Sequence, residues 1–468
     1  MASRGSVNTR SLGCKSKLKE PPEKADVKSE SHERDGTGVM ARADRKRDAR
    51  ADGKSNYEQR NKHTKMKYII ILGDGMADRP VASLGGLTPL QAADTPNMDK
   101  LAGMGRSGML KSVPDGWKPG SEIANLSILG YDVSKVFEGR GSLEAASMGI
   151  EIGDDEMAMR CNILTIEDGK IKNHSAGHIS NPEAEELIKH LQKELGGGRV
   201  NFFPGVSYRH LLKMKDGDKR IECTPPHDVP GTPFRNVMIK PSVPEAAETA
   251  EYLNMLTLRS QEVLANHPVN LKRVAEGKDP ANSIWLWSPG YRPQMETLAQ
   301  KYGLEKGSVI SAVDLIKGIG RYAGLKSIEV EGATGLYDTN YEGKTAAAIE
   351  ALRKDDFVFL HIEASDEAGH EGDAALKVRT IEYLDKRVVG PIMEELAQWK
   401  EPVTIAVLPD HPTPVELKIH VNDPVPFIMY TPGQQPDSVA RYDEYAAQSG
   451  YYGTVEAADF MDILTGRK

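Results

Sequence analysis

Three stretches of this chain read as a buried strand running into residues that hold cations. Met-Lys-Tyr-Ile-Ile-Ile-Leu-Gly-Asp-Gly (66–75) ends on Asp74 between two glycines, which let other backbone or a ligand come close. Phe357–Ile362 is followed by Asp366 and His370, and Val403–Leu408 by Asp410 and His411. Parallel strands of open α/β sheets carry their ligands at the carboxyl ends. If these three strands are neighbours, the five side chains converge on one edge. Such convergence suggests a bound metal pair, and with it phosphate or ester chemistry.

The spacings support that reading. Asp366 and His370 are four apart and share one face of a helical turn. Glu363, Glu367, Glu371 and Asp373 crowd the same stretch, and packing so many acids without a cation is costly. Asp410 and His411 are adjacent, so each points its own way and could serve a separate ion. His420 stands just before the next apolar run and is a further candidate ligand. Oxygen and nitrogen ligands without thiolates suit Mn²⁺ first, with Zn²⁺ or Mg²⁺ also admissible. Each cluster also has a plainer reading: a turn aspartate, a solvated acidic loop, a structural histidine.

In Pro119-Gly120-Ser121 a hydroxyl stands at a helix start, where anions are favoured. It reads either as an ordinary capping serine or, beside metal ions, as a nucleophile that would form a phosphoserine. Arg140, His178, Arg209-His210, His227-Asp228 and Arg235 look together like the wall of a small anionic-substrate site, since arginine matches phosphate or carboxylate in two-pronged fashion.

The elements that must position these residues alternate strand and helix from residue 66 onward, the signature of a mostly parallel sheet with helices on its faces. Thr95 and Pro96 open a helix, Ser121–Leu129 another, and Met157–Ile166 a strand. Asn181–Leu195 is an amphipathic helix that stops at Gly196-Gly-Gly. Strands over Phe202–Met214 and a long helix from Pro244 to about Asn266 follow. The α/β rhythm resumes at Ile284–Ser288. A discontinuous core of 66–145 and 280–468 is expected, with 146–279 inserted as an α+β substrate-binding lid.

Composition narrows the function. Of 468 residues, 60 are Lys or Arg and 68 Asp or Glu, a net charge of −8. Residues 1–65 carry +7 and the remainder −15, and an acidic body does not fit a nucleic-acid binder. The basic, almost aromatic-free 1–65 cannot bury enough apolar area to offset its chain entropy, and a disordered extension is expected there. Met66 is read as the start of the folded part. Three cysteines, Cys14, Cys161 and Cys223, fit a reducing cytosol and a cytoplasmic location. No signal peptide and no membrane-spanning run is apparent.

In order and spacing, IIILGDGMADRP, TPLQAADTPNMDKLA, PGSEIANLSILGYD, EGRGSLEAASMGI, RCNILTIEDGKI, NHSAGHIS, HIEASDEAGHEGD and LPDHPTP are similar to the alkaline phosphatase metalloenzyme superfamily. More closely, the chain resembles the archaeal-type branch of the cofactor-independent phosphoglycerate mutases, over nearly all of 66–468. The resemblance implies an alkaline-phosphatase-like α/β core and two divalent metal ions. One ion would be held by Asp74, Ser121, Asp410 and His411, the other by Asp366, His370 and His420. It implies that Ser121 is the residue phosphorylated, and that His178, Arg209 and Arg140 hold the phosphoglycerate. The reaction implied interconverts 3-phosphoglycerate and 2-phosphoglycerate, an isomerisation belonging to glycolysis and gluconeogenesis. Three alternatives share the core: a homoserine-kinase-like phosphotransferase, a metal-dependent phosphatase, and a scaffold without catalysis. The absence of a P-loop motif weighs against an ATP-dependent kinase.

Overall fold

The structure, a computed structural model, describes residues 65–468. The extension expected to be disordered lies, apart from Lys65, outside the described residues.

Eight strands form the principal sheet: β1 (Lys67–Gly73), β2 (Arg106–Lys111), β10 (Gly307–Ile310), β11 (Lys326–Ser327), β12 (Phe357–Ile362), β13 (Val403–Leu408), β14 (Val425–Tyr430) and β15 (Thr454–Glu456). Their order is β11-β10-β12-β1-β13-β14-β2-β15. Only β14 runs against the others, pairing antiparallel with both neighbours. The three chemistry-bearing strands are the adjacent trio β12-β1-β13. In register, Gly73 lies beside Ile362, and Leu72 beside Leu408, so all three end at one level.

Sequence pattern explains that centre. A parallel strand covered on both faces must be apolar on both. Ile69 and Ile71 pack into one hydrophobic cluster while Ile70 and Leu72 pack into the other. All four are fully buried, each contributing about 1.5–3 kcal/mol by burial. Helices Ser121–Ile128, Asp314–Tyr322 and Ala457–Leu464 cover one face. Helices Pro96–Met104, Tyr341–Lys354 and Ala374–Leu384 cover the other.

A second sheet is built around β3 (Glu156–Glu167), flanked by β4 (Lys170–Asn173), β6 (Arg209–Lys215) with β5 (Val200–Val206) beyond it, and β9 (Ser283–Gly290). β7 (Ile221–Glu222) and β8 (Lys240–Pro241) form a small separate ribbon. The helices Asn181–Leu195 and Ala247–Leu264 bury their apolar stripes against β3, β5 and β6. The first of them is started by a capping box between Ser180 and Glu183.

Three details depart from the sequence reading. Ile284–Ser288, expected to resume the core, belongs to β9 and pairs with β3. The long helix from Pro244 begins with a 3₁₀ turn, Pro244–Ala246, and ends at Leu264. Thr95 stands at the N-cap of Pro96–Met104 without bonding through its side chain. The carboxylate of Asp385, nearly 300 residues on, accepts from the backbone of Asn97 (3.3 Å) and Met98 (2.7 Å) instead.

Candidate active site

Each chemistry-bearing side chain leaves the sheet at the end of a strand. Asp74 follows β1, and its backbone N–H still donates to Ile362 of β12 (2.8 Å). Asp366 and His370 lie on the helix Ala364–Glu371, so their four-residue spacing does place them on one face. Asp410 and His411 follow β13, and His420 lies on the loop between β13 and β14. Ser121 is the first residue of its helix, with Gly120 at the N-cap, so the plain capping role does not apply to it.

All seven residues meet. His411 Nε2 lies 3.2 Å from Ser121 Oγ and 3.5 Å from carboxylate oxygens of both Asp74 and Asp410. Asp366 lies 3.3 Å from His370 and 3.4 Å from His420. The two groups join where the His411 ring stacks on His420, with centroids 3.9 Å apart. Ligand atoms of Asp366, His411 and His420 come within 4.8 Å of one another, as do those of Asp74, His361 and Asp410.

The arrangement fits cations. Asp74 is buried, and its Oδ1 has no hydrogen-bond partner among the described residues. Burial, then the neighbouring charges of Asp410, Asp366 and Glu363, push its carboxyl well above the usual range. His370 donates from Nδ1 to the Lys418 carbonyl (3.0 Å), which turns its Nε2 toward Nε2 of His420 at 2.9 Å. Once deprotonated, the two nitrogens would offer lone pairs to an ion that shares the Asp366 carboxylate with them. Burial alone would lift Asp366, yet hydrogen bonds from His370 and His420 hold it well below the carboxylate range. The same contact raises His370 to about 9. Burial lowers the His411 imidazole and keeps it neutral.

Residues that sequence reasoning passed over hold the ligands in place. His361, the penultimate residue of β12, is fully buried and lies 3.0 Å from Asp74 Oδ2 through Nε2. Its Nδ1 meets Ser311 Oγ at 3.2 Å. Burial lowers it to about 4, so it is a neutral donor aiming Asp74. Its signal was one polar residue inside an apolar strand. Asn125, one turn after Ser121, donates to the Ser121 carbonyl (2.8 Å) and to Asp410 (2.9 Å), tying helix to strand end. Lys344 is buried near Glu363. Burial lowers the lysine to about 8 and raises the acid to about 8.

Beyond the strand ends lies a cavity of about 180 Å³ lined by Arg140, Arg160, Arg209, His210, Glu144 and Val313–Leu315. A hydrogen-bond chain links its wall to the cluster: Val313 N donates to Ser311 Oγ (2.9 Å), and that hydroxyl lies 3.2 Å from His361 Nδ1. Three of its buried donors form no hydrogen bond among the described residues, Arg140 Nε, Arg160 Nε and His210 Nε2, although Arg160 Nε is ion-paired with Glu144. His210 Nδ1 accepts from Gly205 N (3.0 Å), so its Nε2 carries the proton. Burial lowers it to about 3 and it stays neutral. Arg160 stacks over Trp287 at 4.2 Å beside Glu144, 3.0 Å away. Arg140 and Arg209 are thus brought together as expected. His178 does not line this cavity. It is exposed at φ 53°, edge-on to Tyr208.

The chain is 52% identical over 401 residues to the 2,3-bisphosphoglycerate-independent phosphoglycerate mutase of Methanosarcina acetivorans, an overlap of 85% of this chain and 99% of the relative. The chain belongs to that family. The family model for 2,3-bisphosphoglycerate-independent phosphoglycerate mutase matches residues 102–270, from the helix before β2 into the second sheet and its helices. Two solved structures share the family fold. A protein from Pyrococcus horikoshii is 32% identical with a TM-score of 0.73, over 86% of this chain and 98% of its own. The cofactor-independent phosphoglycerate mutase of Thermoplasma acidophilum is 29% identical with a TM-score of 0.62, over 86% and 99%.

Proposed function

We propose that this chain interconverts 3-phosphoglycerate and 2-phosphoglycerate through a phosphoserine at Ser121. As a family member it is an isomerase, an intramolecular phosphotransferase. The observation that carries the reading is the meeting of Ser121 with six acid and histidine side chains, to which Ser311 links the wall of an arginine-lined cavity.

Asp74, Ser121, Asp410 and His411 would hold one divalent ion and Asp366, His370 and His420 the other. Mn²⁺ is the first choice, with Zn²⁺ or Mg²⁺ as alternatives. Bound there, the ions would ease loss of the serine proton and neutralise phosphate oxygens. Ser121 Oγ forms a bond to phosphorus as the bond from phosphorus to the C3 oxygen breaks, and that oxygen takes up a proton. Glycerate then turns: its C2 hydroxyl gives up its proton and its oxygen bonds to phosphorus as the bond from phosphorus to Ser121 Oγ breaks, and Oγ regains a proton. Arg140, Arg209 and His210 hold the substrate anion while this happens, with Arg160 supporting the wall. His178 joins them only if its loop swings inward.

The lid assignment belongs to the same proposal, with β9 added to 146–279. Enclosure would keep water from hydrolysing the phosphoserine. No helix among the described residues is long and apolar enough to cross a membrane, which accords with a cytoplasmic enzyme acting on a small phosphorylated substrate.

The test is an enolase-coupled assay on chelator-treated protein given 3-phosphoglycerate with and without Mn²⁺. Product formed only with the ion is expected. No 2-phosphoglycerate from fully loaded protein sinks the reading, and release of free phosphate instead would favour a phosphatase.

A further inference from the structure

The helix Ala374–Leu384 buries a lysine completely behind the site. A buried ammonium is costly unless its three protons find acceptors. Lys377 Nζ has all three: the Ala77 carbonyl at 3.1 Å, Asp78 Oδ2 at 2.8 Å and the Thr413 carbonyl at 2.8 Å. Ala77 and Asp78 belong to the loop leaving β1, three and four residues after Asp74. Thr413 belongs to the loop leaving β13, two residues after His411. One cation therefore clamps two ligand-bearing loops. Asp78 Oδ2 adds to the clamp by accepting from the Val415 backbone at 3.1 Å.

Thr413 carries the clamp to the ligands. Its hydroxyl donates to Asp366 Oδ1 at 2.5 Å and lies 3.3 Å from His411 Nδ1. A hydroxyl has one proton. With that proton given to Asp366, the contact to His411 requires the proton to sit on Nδ1 of the ring. Nε2 then keeps its lone pair, facing Ser121, Asp74 and Asp410. One residue thus sets the place of one ligand carboxylate and the tautomer of one ligand imidazole.

We propose that Lys377 is a positioning residue of the metal centre. Acting through Thr413, it holds the β1 and β13 loops at the spacing that points Asp366 and His411 Nε2 at the ions. This rests on the metal-binding reading above and extends it to residues that touch neither ion nor substrate. Outer partners of metal ligands typically change affinity 10- to 100-fold when removed.

The experiment measures Mn²⁺ affinity of the full chain after chelation, from the electron paramagnetic resonance of the free ion. The principal variant is the double substitution Lys377→Met with Asp78→Asn, which removes both buried charges together and leaves neither stranded. It is expected to keep wild-type circular dichroism and a cooperative melt, to bind Mn²⁺ at least about tenfold more weakly, and to lose the Nδ1–H signature of His411 in ¹⁵N spectra. A merely structural role would alter the melt and leave both other readouts alone. Wild-type affinity in the folded double variant overturns the inference and leaves the metal site standing. If wild-type protein itself binds no Mn²⁺, the metal reading falls and this inference with it. Should the double variant fail to fold, Thr413→Val decides. It removes the hydroxyl and keeps the carbonyl that Lys377 grips, and unchanged affinity there overturns the relay. Thr413→Ser is expected to retain binding.

Discussion

At the scale of single residues, Ser121 has the smallest margin for substitution. Its Oγ lies 3.2 Å from His411 Nε2, and its backbone is pinned by Asn125. Ser121→Ala removes an atom that makes no core contact. The variant should melt with the wild type while turnover falls by at least about 10³-fold, because a covalent route loses its nucleophile. Coupled assay and calorimetry check the pair, and mass spectrometry of wild type quenched during turnover should find phosphate on Ser121 alone. Glu444 makes a separate prediction about stability. It is buried, accepts from Asp78 N (3.0 Å) and Thr88 Oγ1 (2.6 Å), and burial raises its carboxyl from 4.5 to about 7. Between those values the folded chain keeps a proton that the unfolded chain has lost, so this group lowers stability as pH rises through the window. The shift sets an upper bound of about 3 kcal/mol. Urea melts of wild type and Glu444→Gln across pH 4.5–7 should diverge, with the variant gaining relative stability at the upper end. Parallel curves would mean that Glu444 ionises normally.

At the scale of elements, the site is made by three strand ends that stop together, and the turn after β1 is the tightest of them. Gly75 sits at φ 59°, and a Cβ there would lie 2.7 Å from both Asp366 Cα and Thr413 Oγ1 and collide with Asp366 Oδ1. Gly75→Ala therefore combines left-handed strain with a clash against backbone that cannot yield. A loss of about 1–3 kcal/mol is expected, together with at least tenfold weaker Mn²⁺ binding. A stable variant with normal affinity would show that the turn can open without moving Asp366. The Asp-Gly signal was legible because it followed a continuous apolar run, and the same runs gave β12 and β13. What the sequence concealed were partners distant along the chain. Nothing near Thr95 says that Asp385 caps that helix, and nothing near Ile284 says that β9 crosses to β3. Period-two patterning identifies a strand but not its neighbour, because adjacency is settled by packing across the whole chain.

At the scale of the whole molecule, the seven acid, histidine and serine candidates were legible because each ended or followed a recognisable strand or opened a helix. The cavity wall was legible in part. Arg140 and the Arg209-His210 pair stand out as polar residues, whereas Arg160 looks like an ordinary residue of an apolar strand until β3, β6 and the helix Arg140–Ser147 are brought together. Lys377 and Thr413 gave no local signal, since their partners lie up to 300 residues away. The same convergence has a global energetic consequence. Asp74, Asp366 and Asp410 are buried within reach of one another's charge, and Asp74 is strained enough by burial and by its neighbours to hold its proton abnormally. Ions that bind the native cluster and not the unfolded chain must stabilise the fold by mass action, about 2.7 kcal/mol per site at one hundred times the dissociation constant. For a chain of this size that is a rise of several degrees in melting temperature. Calorimetry of chelated protein titrated with Mn²⁺ should show the rise in wild type. Asp410→Asn and His420→Ala, placed in the two halves of the cluster, should each abolish about half of it. A melt indifferent to Mn²⁺ in wild type would mean that the acids tolerate one another by protonation alone, and that the cluster is not a metal centre.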